Sequence, residues 1–464
     1  MTTGQRDYDV VVIGAGVIGA AVARELSAFD ARVALIDTRA DVGEGTSKAN
    51  TAILHTGYDA HPGTLEAKLV ARGYHLLSDF CDQTGISHER LGAVLVAWNQ
   101  EQFEALPGLQ ENAEKNGYHD SVLIDRDKVF ELLPHADSSA LGGLFVPGES
   151  IIDPWSVSVA FATDAVNRGA EFIPDARVTG LTVQDRLTTL HTTAGDLKAR
   201  WVVNAAGLGA DIIDGFFGYD RLKCHPRRGQ LIVFDKLAAR LVDHIVLPVP
   251  TRLGKGVLVS PTVFGNVMLG PTAEDMEDRT DTSTTEDGLD FLKEKGAAII
   301  PDLLHEEVTS TYAGLRAAHN LDDYLLEVDA SQRYVIAGAI RSTGLTSSMA
   351  VAEHLLNKMQ EAGFDASPKD TLPEPPAMPT LGERFTRPYC DADLIARDSE
   401  YGKVVCFCER VTRGEIRDAF NSTVPPRDLE GLRRRTRAMN GRCQGFFCGA
   451  EIAELLDKHL EGAK

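Results

Sequence analysis

Asp9-Val10-Val11-Val12-Ile13-Gly14-Ala15-Gly16-Val17-Ile18-Gly19-Ala20-Ala21-Val22-Ala23 is the stretch around which the rest of the chain is organised. Four apolar residues run into a glycine turn. Gly14 admits the sharp bend, Gly16 lets the backbone approach a pyrophosphate, and Gly19 lets the following helix sit close against its strand. The pyrophosphate then meets the unpaired N–H groups and the positive dipole end of a helix N-terminus. Glycines in turns are common, so the surroundings decide. Arg32-Val33-Ala34-Leu35-Ile36-Asp37 supplies a second apolar strand, ending in an acid eighteen residues beyond Gly19 and placed to accept from a ribose. The pattern predicts an α/β, Rossmann-like dinucleotide-binding domain.

At 464 residues the chain exceeds one ordinary core, and two or three domains are expected. Sixty-eight acidic residues against 47 basic ones give a formal charge of −21, which argues against a nucleic-acid surface. The apolar run from Val10 to Ala23 is broken by three glycines and preceded by Asp7 and Asp9, so it reads neither as an export signal nor as a membrane span. Seven cysteines, an odd number without an export signal, point to a reducing, cytoplasmic setting, with any membrane association made through a partner.

Further along, Gly43 to Gly57 is a polar, glycine-flanked loop expected to lie over the cofactor, with Thr46, Ser47, Asn50 and Thr51 as its contact residues. Thr64 to Phe80 has helical spacing. Leu91–Val96 and Gly142–Val146 are short β-rich runs of a second sheet, which continues through 230–234, 256–260 and 266–270. Pro154–Val166 reads as a helix returning to the first domain. Arg200 to Asp211 is a strand delivering small residues, Ala206 and Gly207 among them, where a larger side chain would collide with a nucleotide. Tyr334–Gly338 leads into Arg341–Ser348 and a helix from about Met349 to Gln360, a second loop-to-helix N-terminus that includes Gly344, Leu345 and Thr346. The Pro-rich stretch from Ser367 to Pro379 should be extended and semi-rigid, and marks a boundary.

The tail holds Cys406-Phe407-Cys408, then Cys443 and Cys448. Two close thiol pairs form a four-thiolate site for zinc or an iron–sulfur cluster. Zinc more often uses C-x2-C pairs, whereas C-x-C tolerates the wider geometry of a [2Fe–2S] cluster, which is the favoured reading. Leu432-Arg433-Arg434-Arg435-Thr436-Arg437 offers positive charge to offset such an anionic centre; a solvated basic face or a docking patch are the alternatives.

Residues up to about 360 resemble the D-amino-acid-oxidase-like, FAD-dependent oxidoreductases, through Gly14-x-Gly16-x-x-Gly19, Asn50 to Gly57, Asn204-Ala205-Ala206-Gly207 and Gly344-Leu345-Thr346. From Val404 the chain resembles the bacterioferritin-associated-ferredoxin-like [2Fe–2S] domain, through the four cysteines together with Glu409, Val411-Thr412 and Arg434 to Gly445. The pairing of modules resembles the large-subunit family of anaerobic glycerol-3-phosphate dehydrogenases in its shorter bacterial form. Ile53 to Gly57 and Arg227-Arg228-Gly229-Gln230 also resemble L-2-hydroxyglutarate dehydrogenases. Asp37 stands where many members have Glu.

The resemblance implies FAD bound by segments of about 1–90, 150–220 and 330–366, with Val178 contacting the adenine. It implies an inserted, mainly β substrate domain (about 91–149 and 221–329), a linker over 367–396, and a cluster domain over 397–464. It implies hydride transfer from an anionic secondary alcohol to FAD and one-electron relay through the cluster to another flavoprotein or iron–sulfur subunit, in an oligomer or hetero-complex. A 2-hydroxy acid or secondary amine is the alternative substrate, and a silent electron-transfer or scaffold subunit the alternative class. His55 is the expected base, Arg316 the expected anion-binding cation, and Lys255 a second cation.

Overall fold

The structure is a computed structural model that describes residues 6–250 and 256–462. Its first sheet is built on the strand Arg6–Ile13, which pairs in parallel with Val33–Ile36 on one side and Leu197–Asn204 on the other. Glu171–Ile173 extends the sheet beyond Val33–Ile36, and Tyr334–Gly338 pairs in parallel with the second half of Leu197–Asn204. The hairpin Val178–Gln184/Leu187–Thr192 and the strand Leu325–Asp329 complete the eight strands. Val10, Val11 and Val12 are wholly buried because helices or the hairpin cover both faces, so a continuous apolar run replaces alternation.

The helices Val17–Leu26, Leu65–Thr84, Pro154–Asn167 and Gly344–Glu361 form one packed layer. Two of them touch backbone to backbone: a Cβ at Gly73 would lie 2.3 Å from the Thr346 carbonyl oxygen. That contact corrects the expected start of the last helix. It begins at Gly344, not near Met349, because Gly344 to Ser348 are buried in this layer and burial outweighs the weak helix preference of Thr and Ser.

The second sheet has nine strands and includes Ala93–Ala97, Gly142–Val146, Cys224–Phe234, Ile245–Pro248, Leu258–Pro261 and Val267–Gly270. The α/β architecture with an inserted β domain therefore stands as expected. The twelve-residue strand Val308–His319 was not foreseen; its Ala- and Gly-rich centre hides the β signal, and long pairing with Cys224–Phe234 creates it, placing Arg316 opposite Arg227.

The Pro-rich stretch is extended and fastened down as a strap. Lys369 N–H donates to the Ala28 carbonyl, Met378 N–H to the Thr84 carbonyl, and Gly382 N–H to the Ser87 hydroxyl. Beyond it, Val404–Cys406 and Val411–Thr412 form a small ladder, followed by the helices Arg413–Phe420, Leu429–Thr436 and Gly449–Gly462 around a core of their own. A capping box of Thr412 and Glu415 starts the first of these helices.

The arginine run is not a solvated face, since Arg434, Arg435 and Arg437 are buried, and two of its four arginines hold this module to the first domain. Arg434 donates one bond and Arg435 two to the buried Asp41 carboxylate, at 2.7–2.9 Å. Arg437 donates two bonds to the buried Glu409. Gly431 is required beneath this latch, since a Cβ there would lie 2.4 Å from Asp41 Oδ2. Burial alone would raise the Asp41 carboxyl, but the Arg435 hydrogen bonds and the two guanidinium charges hold it below the ordinary aspartate value. A depressed carboxyl contributes its full stability above the unfolded value of about 3.9, and loses it as pH falls through the lower folded value.

Asp41→Asn should cost about 3–5 kcal/mol, because it strands two buried guanidinium groups. Urea or thermal unfolding of variant against wild type at pH 7 measures this, and the difference should shrink below about pH 4 as the wild-type carboxyl protonates.

Candidate active site

The glycine turn is a cradle that only hydrogen fits. Gly14 has φ +104°, and a Cβ on it would sit 2.4 Å from the Ala205 carbonyl oxygen; one on Gly19 would sit 1.8 Å from the Gly14 carbonyl oxygen. The helix Val17–Leu26 starts at Gly16 with no side-chain cap on that residue and no acid in its first turn, leaving its N-terminus electropositive. Ser47 Oγ accepts from Val17 N–H at 3.0 Å, tying the polar loop to the cradle. Asp37 follows its strand and accepts from Ala15 N–H at 2.7 Å and Arg39 N–H at 2.8 Å. Burial raises its carboxyl despite those bonds, and each oxygen keeps a lone pair for a ribose hydroxyl.

Ala206 and Gly207 lie just past Leu197–Asn204, with Gly207 at φ +55°. Val178 opens the hairpin next to Ala176, whose N–H donates to the Asp37 carbonyl. These expected cofactor residues thus line one edge of the first sheet, at the ends of its parallel strands, where such sheets hold ligands.

Residues 46–57 form a floor stitched on two sides. On one side, Thr46 Oγ1 donates to the Leu315 carbonyl at 2.7 Å, Tyr312 donates to the Asn50 carbonyl at 3.1 Å, and a Cβ at Gly314 would fall 2.5 Å from the Ala49 carbonyl oxygen. On the other, His55 N–H donates to Thr346 Oγ1 at 3.0 Å, in the first turn of Gly344–Glu361. That helix also starts without a side-chain cap on Thr343 or a first-turn acid, so Gly344, Leu345 and Thr346 lie at a second electropositive N-terminus. Asn50 closes the loop internally: its Nδ2 donates to the Ser47 carbonyl and its Oδ1 accepts from Ala52 N–H. The Thr46 and Asn50 side chains therefore hold the floor in shape, and Thr51 rides on it half-buried.

His55 is held from behind. Its Nδ1 lies 2.9 Å from Oε2 of Glu149, which is wholly buried and also accepts from Thr56 N–H and Thr56 Oγ1. Glu149 was missed from sequence. Its signal was an acid two residues before the apolar Ile151-Ile152, a pairing that a surface turn does not need.

Arg316 projects from Val308–His319, one residue beyond the carbonyl that takes Thr46, and Nη2 donates to the Thr272 carbonyl at 2.7 Å. Burial and then the neighbouring Arg227 disfavour its charge, and among the described residues it forms no salt bridge, whereas Arg227 is paired with Asp275. The nearest acid acting on it, Asp275, is thus already bonded to Arg227. Lys255 lies outside the described residues.

The four tail cysteines stand as two touching pairs, Cys406 with Cys448 and Cys408 with Cys443. The first pair is buried and the second partly exposed. Gly441 lets them close, since a Cβ there would lie 2.3 Å from Cys408 Cβ. The N–H of Phe447, aided by those of Gly445 and Phe446, lowers the Cys443 thiol, an environment made for a thiolate. Among the described residues no three His, Cys, Asp or Glu side chains converge as for a single ion. Two thiol pairs suit a two-iron cluster held by four thiolates.

Residues 9–357 match the FAD dependent oxidoreductase (DAO) family, and residues 404–458 match the BFD-like [2Fe-2S] binding domain. A glycerol 3-phosphate dehydrogenase of Caloramator mitchellensis is 36% identical over 98% of this chain and 94% of its own. A glycerol 3-phosphate oxidase of Mycoplasma pneumoniae is 30% identical over 75% of this chain and 94% of its own. The solved structure of dithionite-reduced L-alpha-glycerophosphate oxidase from Mycoplasma pneumoniae, with FAD bound, superposes with a TM-score of 0.77 at 27% identity, covering 81% of this chain and all of that one. The chain belongs to the FAD dependent oxidoreductase family and carries in addition a [2Fe–2S] domain of the BFD-like type.

Proposed function

We propose that this FAD-dependent dehydrogenase oxidises the secondary alcohol of sn-glycerol 3-phosphate and passes the electrons outward through its [2Fe–2S] domain to a second flavoprotein or iron–sulfur subunit. The observation that carries the substrate class is Arg316: a half-buried guanidinium that forms no salt bridge among the described residues, on the strand stitched to the floor that bears His55. A dianionic phosphate supplies the missing counter-charge, and the planar fork can take two of its oxygens.

FAD, when bound, supplies the hydride acceptor, and the cluster supplies a one-electron outlet. Gly14, Gly16 and Gly19 would leave room for its pyrophosphate, Asp37 would accept from its ribose, and the N-terminus of Gly344–Glu361 would offer positive potential to its ring. His55 acts on the proton. With Nδ1–H directed at Glu149, Nε2 carries the lone pair that takes the substrate's hydroxyl proton, and the Glu149 carboxylate stabilises the resulting imidazolium. Arg316 fixes the phosphate end, so that the carbinol carbon is positioned without the base also having to hold the substrate.

Anaerobic titration tests the substrate. Glycerol 3-phosphate should bleach the flavin, while L-2-hydroxyglutarate and N-alkyl amino acids should not; bleaching by either of the latter alone would refute the assignment. Arg316→Lys should raise KM about ten- to a hundredfold, the value of a lost charge-assisted bond, with a smaller effect on kcat. His55→Ala should lower kcat by about 10²–10⁴-fold and flatten the acid limb of the pH–rate profile. Glu149→Gln should lower kcat in the same direction with KM held, as measured by steady-state assay with an artificial dye acceptor.

A further inference from the structure

Arg434 and Arg435 share the Asp41 carboxylate, and none of the three side chains is more than 5% exposed, so two buried guanidinium groups divide one negative charge. Arg435 is bonded through all three of its nitrogens, to Asp41 and to the Val424 and Gly431 carbonyls. Arg434 is not. Its Nη2 reaches Asp41, while Nε and Nη1 are buried and find no hydrogen-bond partner among the described residues. Burial raises the Glu44 carboxyl although the Arg434 charge opposes it, and Glu44 Oε2 is also buried without a partner among those residues. Burial, then the Arg434 charge, disfavours the Lys48 ammonium. A Cβ at Gly45 would lie 3.1 Å from Arg39 Nη1, so Arg39, Lys48 and Arg434 gather about residues 44–48. The other acids of this seam are engaged elsewhere: Asp37 accepts from the Ala15 and Arg39 N–H groups, Asp428 from the Gly431 N–H, and Glu430 pairs with Arg433.

The segment on which Arg434 acts is pinned to the glycine cradle at both ends. Gly43 N–H donates to the Ala15 carbonyl at 2.9 Å, and Ser47 Oγ accepts from Val17 N–H at 3.0 Å, on either side of Gly16. We propose that Arg434, together with Lys48, belongs to the FAD site: the cluster domain supplies counter-charge to the pyrophosphate of the cradle, so that FAD retention and docking of the cluster domain are one coupled equilibrium. A pyrophosphate carries two negative charges, whereas a helix N-terminus offers only about half an elementary charge. A guanidinium removed from water acts on such an anion across a short stretch of protein without touching it. The cluster is the competing anion, but the arginine bonded next to its cysteines, at Glu409, is Arg437, and the Arg434 bond runs to the first domain. Coupling is reciprocal: whatever the docked module adds to FAD affinity, bound FAD returns to docking. It holds whichever alcohol is oxidised.

The test uses the full-length chain carrying its cluster, verified by the electron paramagnetic resonance signal after dithionite reduction. FAD release from diluted holoenzyme is followed by flavin fluorescence, and flavin-stripped protein is titrated with FAD and with ADP, which has the pyrophosphate but no flavin ring. Arg434→Gln should weaken FAD and ADP by the same factor, about five- to a hundredfold, the usual span of coupling between sites. Lys48→Gln should act in the same direction, Arg434→Lys should recover most of the loss, and Glu44→Gln should bind FAD at least as tightly as wild type. In the wild type, adding FAD to stripped protein should slow amide hydrogen exchange in Leu429–Thr436, a measurement that needs no variant. Exchange indifferent to FAD overturns the proposal. So does wild-type FAD affinity in Arg434→Gln, a loss for FAD that ADP does not share, or an Arg434→Lys variant as weak as Arg434→Gln. An altered cluster signal in Arg434→Gln with FAD affinity unchanged would assign the charge to the cluster instead.

Discussion

The approach of the helix Val17–Leu26 to the turn before it is the constraint on which the rest depends. With only 1.8 Å between a notional Gly19 Cβ and the Gly14 carbonyl oxygen, no other residue lets this helix lie against its strand. That proximity aims the helix N-terminus across the strand ends and brings Val17 N–H within reach of Ser47, which anchors the floor at residues 46–57. The floor in turn reaches the β domain through Thr46 and the last helix through His55. The floor that carries His55 is thereby tied both to the cradle of the first sheet and to the strand that carries Arg316.

The second organising contact joins the modules. Asp41 stands two residues before Gly43, whose N–H donates to the Ala15 carbonyl in the cradle, and Asp41 itself is gripped by Arg434 and Arg435. The cluster domain is thus fastened to the loop beside the nucleotide cradle. A second seam runs nearby. Trp155 donates to the Lys48 carbonyl at 3.0 Å and stacks on Phe264 at 5.1 Å, and the Arg437 guanidinium lies 4.0 Å from the Phe264 ring centre while bonded to Glu409, the neighbour of Cys408. Ring, guanidinium and carboxylate make a continuous packed path from the floor to the cysteine loops. Such packing keeps the modules in fixed register, as one-electron traffic between two centres requires.

Much of this was legible in the residues. The glycine spacing, the acid at Asp37 and the strand at Tyr334–Gly338 are local signals, set by backbone freedom and by apolar runs that only a two-sided sheet accommodates. The paired cysteines were legible because thiolate ligation needs few residues at short spacing. Less legible were features made by partners far away in sequence. Val308–His319 is a strand because Cys224–Phe234 offers it a ladder, and Gly344 to Ser348 are helical because Leu65–Thr84 presses on them through Gly73. The Pro-rich stretch announced extension, yet its hydrogen bonds to Ala28, Thr84 and Ser87 make it a strap.

Sequence by itself determined that a dinucleotide cradle comes first and that a four-thiol module follows, because each rests on residue type and short spacing. Only the tertiary structure decided that Glu149 backs His55, that Arg316 forms no salt bridge among the described residues, and that Arg434 and Arg435 close on Asp41. Charge pairing across hundreds of residues depends on where burial removes water, and no local pattern encodes that.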